Sequence, residues 1–135
     1  MVEINATRRA VLGTAAAGLI ASATGARAQT PASARKTFVL VHGAWHGGWC
    51  WRRVSDILES HGHKVFTPTL TGLGERSHLL TKDTNASMHV EDVVNTINWE
   101  NLTDVVLVGH SYGGIAISGA ADRISEKIGS IVFLD

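Results

Sequence analysis

Short unbroken apolar runs alternate along this chain with stretches in which apolar residues return every three or four positions. Phe38-Val39-Leu40-Val41, Lys64-Val65-Phe66, Val105-Val106-Leu107-Val108 and Ile131-Val132-Phe133-Leu134 are the short runs. Their β-branched and aromatic content predicts strands, the second stopped by Pro68. Between them, Trp51, Val54 and Leu58, with Ile57 beside them, predict an amphipathic helix closed by Gly62. Val90, Val93, Val94 and Ile97 predict a second helix, with Glu91 and Asp92 favourably near its N-terminus. Ile117, Ala120, Ala121, Ile124 and Ile128 predict a third. Residues 69–84, with two glycines and mixed polar positions, read as a loop. Strand–helix alternation with helices of about a dozen residues implies right-handed crossovers and a parallel sheet, hence an α/β fold. Ligands of such sheets bind at the carboxyl ends of the strands. The loops His42–Gly48 and Gly109–Gly114 both follow strands there, so they are expected on one edge of the sheet.

The first 28 residues do not share this pattern. Arg8-Arg9 precede an alanine- and glycine-rich, weakly apolar stretch, and Ala26-Arg27-Ala28 offers a cleavage site before Gln29. The stretch resembles a twin-arginine export signal and is too weakly apolar for a membrane span. The expected organisation is a leader over 1–28, a linker over 29–36 and a folded unit over 37–135, the protein being exported to the periplasm or beyond. The whole chain of 135 residues has no net charge. Without the leader, nine basic residues face eleven acidic ones, a slightly acidic balance with no basic run. Composition thus points to a globular domain that binds no nucleic acid. The single cysteine, Cys50, excludes a disulfide framework, and its place between Trp49 and Trp51 predicts a buried packing thiol.

Candidate chemistry centres on Gly109-His110-Ser111-Tyr112-Gly113. G-x-S-x-G after a buried strand and before a helix is a nucleophile elbow. The turn strains the serine backbone, and a Cβ at Gly109 or Gly113 would collide with a neighbouring element. A serine nucleophile needs a histidine base, a carboxylate to orient it, and two amides for the oxyanion, each worth about 3 kcal/mol of barrier. The Tyr112 amide, at the start of a helix, is one expected donor. The Ala44 amide in His42-Gly43-Ala44-Trp45 is the other, aimed by a turn at Gly43. His42 is expected to stabilise that loop, His46 to line the pocket or pack, and His110 to point away from the serine. His61, His63, His78 and His89 show no metal-ligand spacing, and no metal or cofactor is implied. The four tryptophans read as core or pocket wall, and Glu75-Arg76 as a solvated pair.

The run Val41 to Trp51, then Gly62-His63-Lys64-Val65, Thr71-Gly72-Leu73-Gly74-Glu75-Arg76-Ser77-His78 and Val108 to Gly114, resembles the α/β-hydrolase superfamily. It is most similar to the branch of methylesterases, hydroxynitrile lyases and pyrethroid-type carboxylesterases. The resemblance spans residues 37–135 and implies Ser111 as nucleophile with Ala44 and Tyr112 as the oxyanion hole. It also implies a triad acid and histidine after later strands, and a cap domain. Asp135 comes too early in that order to be the acid. The chain therefore reads as the N-terminal part of a longer protein, lacking the cap and the last strands.

The resemblance implies an exported serine carboxylesterase that forms an acyl-enzyme on Ser111, with this chain alone inactive. Trp45, Leu73 and Tyr112 would favour a small apolar ester. The lyases of the branch carry threonine after the loop histidine, where this chain has Gly43, which weakens cyanohydrin cleavage. The third reading is a non-catalytic ligand-binding or vestigial protein, since no residue present is a convincing base.

Overall fold

Thr37–Val41 (β1), Lys64–Phe66 (β2), Val105–His110 (β3) and Ile128–Leu134 (β4) pair in the order β2-β1-β3-β4, every pairing parallel. The computed structural model describes residues 34–135. The expected leader and most of the expected linker lie outside the described residues. Val39 stands opposite both Phe66 and Leu107, and Val41 stands opposite Gly109. The carboxyl ends of β1 and β3 are therefore level, and the loops that leave them share one edge of the sheet.

Successive strand residues point to opposite faces, which splits the apolar runs between two packing layers. Val39, Val41, Val105 and Leu107 join one buried cluster with Val93 and Ile97 of Ala86–Trp99 (α2) and Ile117 and Ala120 of Gly113–Arg123 (α3). On the other face, Leu40 and Val108 pack with Trp51, and Leu58 of Arg52–Ser60 (α1) reaches the same layer. Asn85 caps α2, its side chain accepting the Met88 amide at 3.2 Å. Past the end of α1, Gly62 takes φ +85°, a left-handed conformation that glycine adopts without strain.

The structure corrects several expectations. Ile128 does not continue the third helix: α3 ends at Arg123, a short 3-10 turn spans Ser125–Lys127, and Ile128 begins β4. Its spacing from Ile124 mimics a helical turn, but Ile124 at φ −135° has already left the helix. The loop over 69–84 contains a 3-10 turn, Gly74–Leu79. Cys50 is exposed rather than buried, because residues 48–51 form a 3-10 turn that directs Trp51 inward and its neighbour outward. Burial about its sulfur nonetheless raises the Cys50 thiol pKa, which disfavours the reactive thiolate. Of the tryptophans only Trp51 is core, whereas Trp45 and Trp99 are 89% and 86% exposed and Trp49 is also exposed. Trp99 lies two residues, about 200° of helix, beyond the buried Ile97 and so faces away from the sheet. Val54 and Ile57 are exposed as well, since α1 contributes only Leu58 to the packed layer. β4 pairs with β3 alone among the described strands, and Ile131, Val132, Phe133 and Leu134 are all exposed.

Candidate active site

Ser111 sits between β3 and α3 with φ +51°. For a residue with a Cβ this is a strained left-handed conformation, of the kind that collects where geometry serves a function. The elbow leaves no room at its flanks. A Cβ on Gly109 would lie 2.7 Å from Ile117 Cδ1 and 2.8 Å from the Gly113 carbonyl oxygen. One on Gly113 would lie 2.7 Å from the carbonyl oxygens of both Val41 and His42. α3 thus begins in direct backbone contact with the end of β1. The Ser111 amide donates to the Leu134 carbonyl at 2.8 Å, and the Ser111 carbonyl accepts from the Gly114 amide at 2.8 Å. The serine itself is exposed.

The loop after β1 is pressed onto this turn. A Cβ on Gly43 would stand 2.8 Å from His110 Nδ1, so a side chain here would push the His110 ring aside, and the φ of Gly43 is not positive. The left-handed residue of the loop is Trp45, φ +66°, directly after Ala44. Among the described residues, neither the Ala44 amide nor the Tyr112 amide donates to a protein acceptor.

His42 is fully buried and both ring nitrogens are committed. Nδ1–H donates to the Gly43 carbonyl at 2.7 Å, and Nε2 accepts from the Leu70 amide at 3.0 Å. Desolvation by burial lowers its pKa, partly offset by the Gly43 bond, so the ring is held neutral. It ties the β1 loop to the segment after β2 and is not free to act as a base. His46 Nδ1–H donates to the Ala44 carbonyl at 2.8 Å, and its exposed ring lies edge-on to His110 with centroids 6.5 Å apart. Among the described residues, no histidine nitrogen or carboxylate oxygen hydrogen-bonds the Ser111 hydroxyl. A concavity of about 300 Å³ at this edge is lined by His46, Cys50, Trp51, Val54, His110 and Leu134, and does not take in Ser111.

Glu75 is exposed and Arg76 partly so, as expected, but rather than pairing with each other both are tied to Thr69. Thr69 Oγ–H donates to the Glu75 carboxylate, and the same oxygen accepts from the Gly48 amide at 2.8 Å. That hydroxyl bond is the main reason the Glu75 carboxyl lies below its ordinary pKa. Arg76 Nη1 donates to the Thr69 carbonyl at 2.7 Å and lies 3.7 Å from Asp92. Both Asp92 oxygens accept from Thr71, from its amide at 2.6 Å and its hydroxyl at 2.8 Å. The segment from Thr69 to Arg76 is thereby fastened to the β1 loop on one side and to α2 on the other. Leu73 and Tyr112 pack partly buried against the main core, while Trp45 stands clear of it.

Sequence reading assigned no role to His89. It is buried on α2, with one ring nitrogen bonded to the Thr71 carbonyl and the other to the Tyr112 hydroxyl, each at 2.8 Å. The signal was present: 89, 93 and 97 share one helical face, and a polar residue in an apolar stripe must find hydrogen-bond partners.

Comparison with known proteins agrees with this architecture. Residues 38–135 match the model of the alpha/beta hydrolase family. A carbendazim hydrolyzing esterase of Nocardioides sp. (strain SG-4G) is 56% identical over 98 residues, which is 73% of this chain and 40% of that protein. Methylesterase 2 of Arabidopsis thaliana is 37% identical over 102 residues, 74% of this chain and 39% of its own. A solved extracellular alpha/beta-hydrolase from a Paenibacillus species superposes with a TM-score of 0.67 at 33% identity, over 73% of this chain and 39% of that one. The chain spans about 40% of the length of these relatives. With the strand–elbow–helix geometry and a family match over residues 38–135, the chain belongs to the alpha/beta hydrolase family.

Proposed function

We propose that the whole protein hydrolyses carboxylic esters through an acyl-enzyme on Ser111. The observation that carries this reading is the strained Ser111 at φ +51°, on the sheet edge where the β1 loop also ends, with Ala44 and Tyr112 amides that have no protein acceptor among the described residues. In the proposed reaction, Ser111 Oγ attacks the ester carbonyl carbon and passes its proton to a histidine base. The carbonyl oxygen becomes an oxyanion held by the two amides, each worth about 3 kcal/mol of barrier. The carbon–oxygen bond to the alcohol breaks and the base returns the proton to the departing alkoxide. Water, deprotonated by the same base, then attacks the acyl-enzyme and regenerates the serine hydroxyl.

His42 and His89 are committed elsewhere through both ring nitrogens, so neither is that base. The base and the carboxylate that orients it are proposed to follow Asp135 in the whole protein, which fits the 40% of the relatives' length that this chain spans. Relatives named as methylesterases support a small alcohol group, and Leu73 and Tyr112 support an apolar ester. Gly43, standing where the lyases of the branch carry threonine, disfavours the lyase reading. A vestigial binding role is favoured by one observation, the lack of any base on Ser111 among the described residues. A fluorophosphonate probe separates the two: rapid labelling of Ser111 in the whole protein supports the esterase, and persistent failure to label supports the vestigial reading. Export through the paired arginines is proposed too; Arg8→Lys with Arg9→Lys should hold the protein in the cytoplasm, and undiminished export would refute it.

A further inference from the structure

His89 joins three segments that sequence keeps apart: α2, the loop after β2, and the turn that carries Ser111. We propose that His89 is a positioning residue for the oxyanion donor at Tyr112, an inference that rests on the esterase reading above. The Thr71 carbonyl can only accept, so His89 Nε2 carries the ring proton and donates to it at 2.8 Å. Nδ1 is then a pure acceptor, and it takes the Tyr112 hydroxyl proton at 2.8 Å. The two rings meet edge-on, 87° between planes with centroids 5.6 Å apart.

Thr71, which fixes this tautomer, is itself held. Asp92 lies three residues after His89 on α2 and takes both the amide and the hydroxyl of Thr71. Two neighbouring residues of one helix therefore grip one loop residue at its carbonyl, amide and hydroxyl, leaving the imidazole a single orientation. The consequence falls on Tyr112. Its carbonyl accepts from the Ile115 amide at 3.0 Å, and the preceding carbonyl of Ser111 accepts from the Gly114 amide. Backbone bonds fix the Ser111–Tyr112 peptide on its acceptor side, and His89 fixes the far end of the Tyr112 side chain. The remaining free group of that peptide is the N–H proposed to meet the oxyanion. Small errors in the aim of such a donor are expensive, because stabilisation requires it to be in place before charge develops.

Tyr112→Phe removes one oxygen atom and nothing else from the core. In the whole protein, with a p-nitrophenyl ester, it should lower kcat about five- to twentyfold with KM little changed. His89→Leu should do the same, and the double variant should lose no more than either alone, since both break one connection. His89→Gln, which can still accept from Tyr112, should recover part of the rate; it also carries the test with Tyr112→Phe should His89→Leu fail to fold. Turnover of Tyr112→Phe within about twofold of the parent, a loss confined to KM, or losses that multiply in the double variant would each overturn the proposal. Ser111→Ala separates the two levels. Its full activity would refute the esterase reading itself, whereas an inactive Ser111→Ala beside a normal Tyr112→Phe would refute only the role of His89.

Discussion

The backbone amide of Ser111 donates to the carbonyl of Leu134 at 2.8 Å, which makes the end of β4 a fixed point of the Ser111 turn. The strand contributes little buried apolar surface, yet its last carbonyl takes up the Ser111 amide. Adjacent amides thus have opposite fates: that of Ser111 is spoken for and that of Tyr112 is free. Amide hydrogen exchange should read this directly. Ser111 should exchange slowly, and Ala44 and Tyr112 quickly. Equal protection of Ser111 and Tyr112 would contradict the arrangement.

Gly113 is where α3 touches β1. Gly113→Ala places a methyl group 2.7 Å from two backbone carbonyl oxygens that cannot turn aside. The expected cost is about 1–3 kcal/mol, read as a lower urea midpoint at unchanged slope. Gly62→Ala is the comparison. Nothing lies within 4 Å of its added methyl, so only the strain of φ +85° remains, and the loss should be smaller.

His42 gives the fold a pH dependence of known sign. Burial lowers its folded pKa below the unfolded value of 6.5. As pH falls through 6.5 the unfolded chain binds the proton first, so stability is full above that pH and declines below it. Unfolding free energy should therefore drop between pH 7 and pH 5, a range above that in which Glu75 titrates. His42→Gln should flatten this dependence while lowering stability throughout, through loss of the Leu70 bond. A His42→Gln variant with the parent's slope would refute the assignment.

Much of this was legible because it is local. Val105 to Val108 is an apolar run, the elbow glycines follow within a few residues, and strand, turn and helix are each specified by their own segment. Parallel order then brought the two loops to one edge. What escaped was of two kinds. Ile128 and Cys50 turn on short 3-10 segments, whose three-residue period a 3.6-residue pattern does not anticipate. The links of His89, Thr69 and Asp92 join residues between 6 and 23 positions apart, through loop carbonyls and hydroxyls that carry no periodic signal. The tryptophans misled because three of them lie at positions whose backbone directs them outward, whatever their hydrophobicity.

The central claim is that Ser111 is acylated. Mixing the whole protein with excess p-nitrophenyl ester and quenching within the first turnover should give a p-nitrophenolate burst and a single acyl adduct on the peptide bearing Ser111, by mass spectrometry. Ser111→Ala should lose both, with turnover lower by at least about a thousandfold. An adduct on another residue, or Ser111→Ala turning over the ester at the parent's rate, would contradict it.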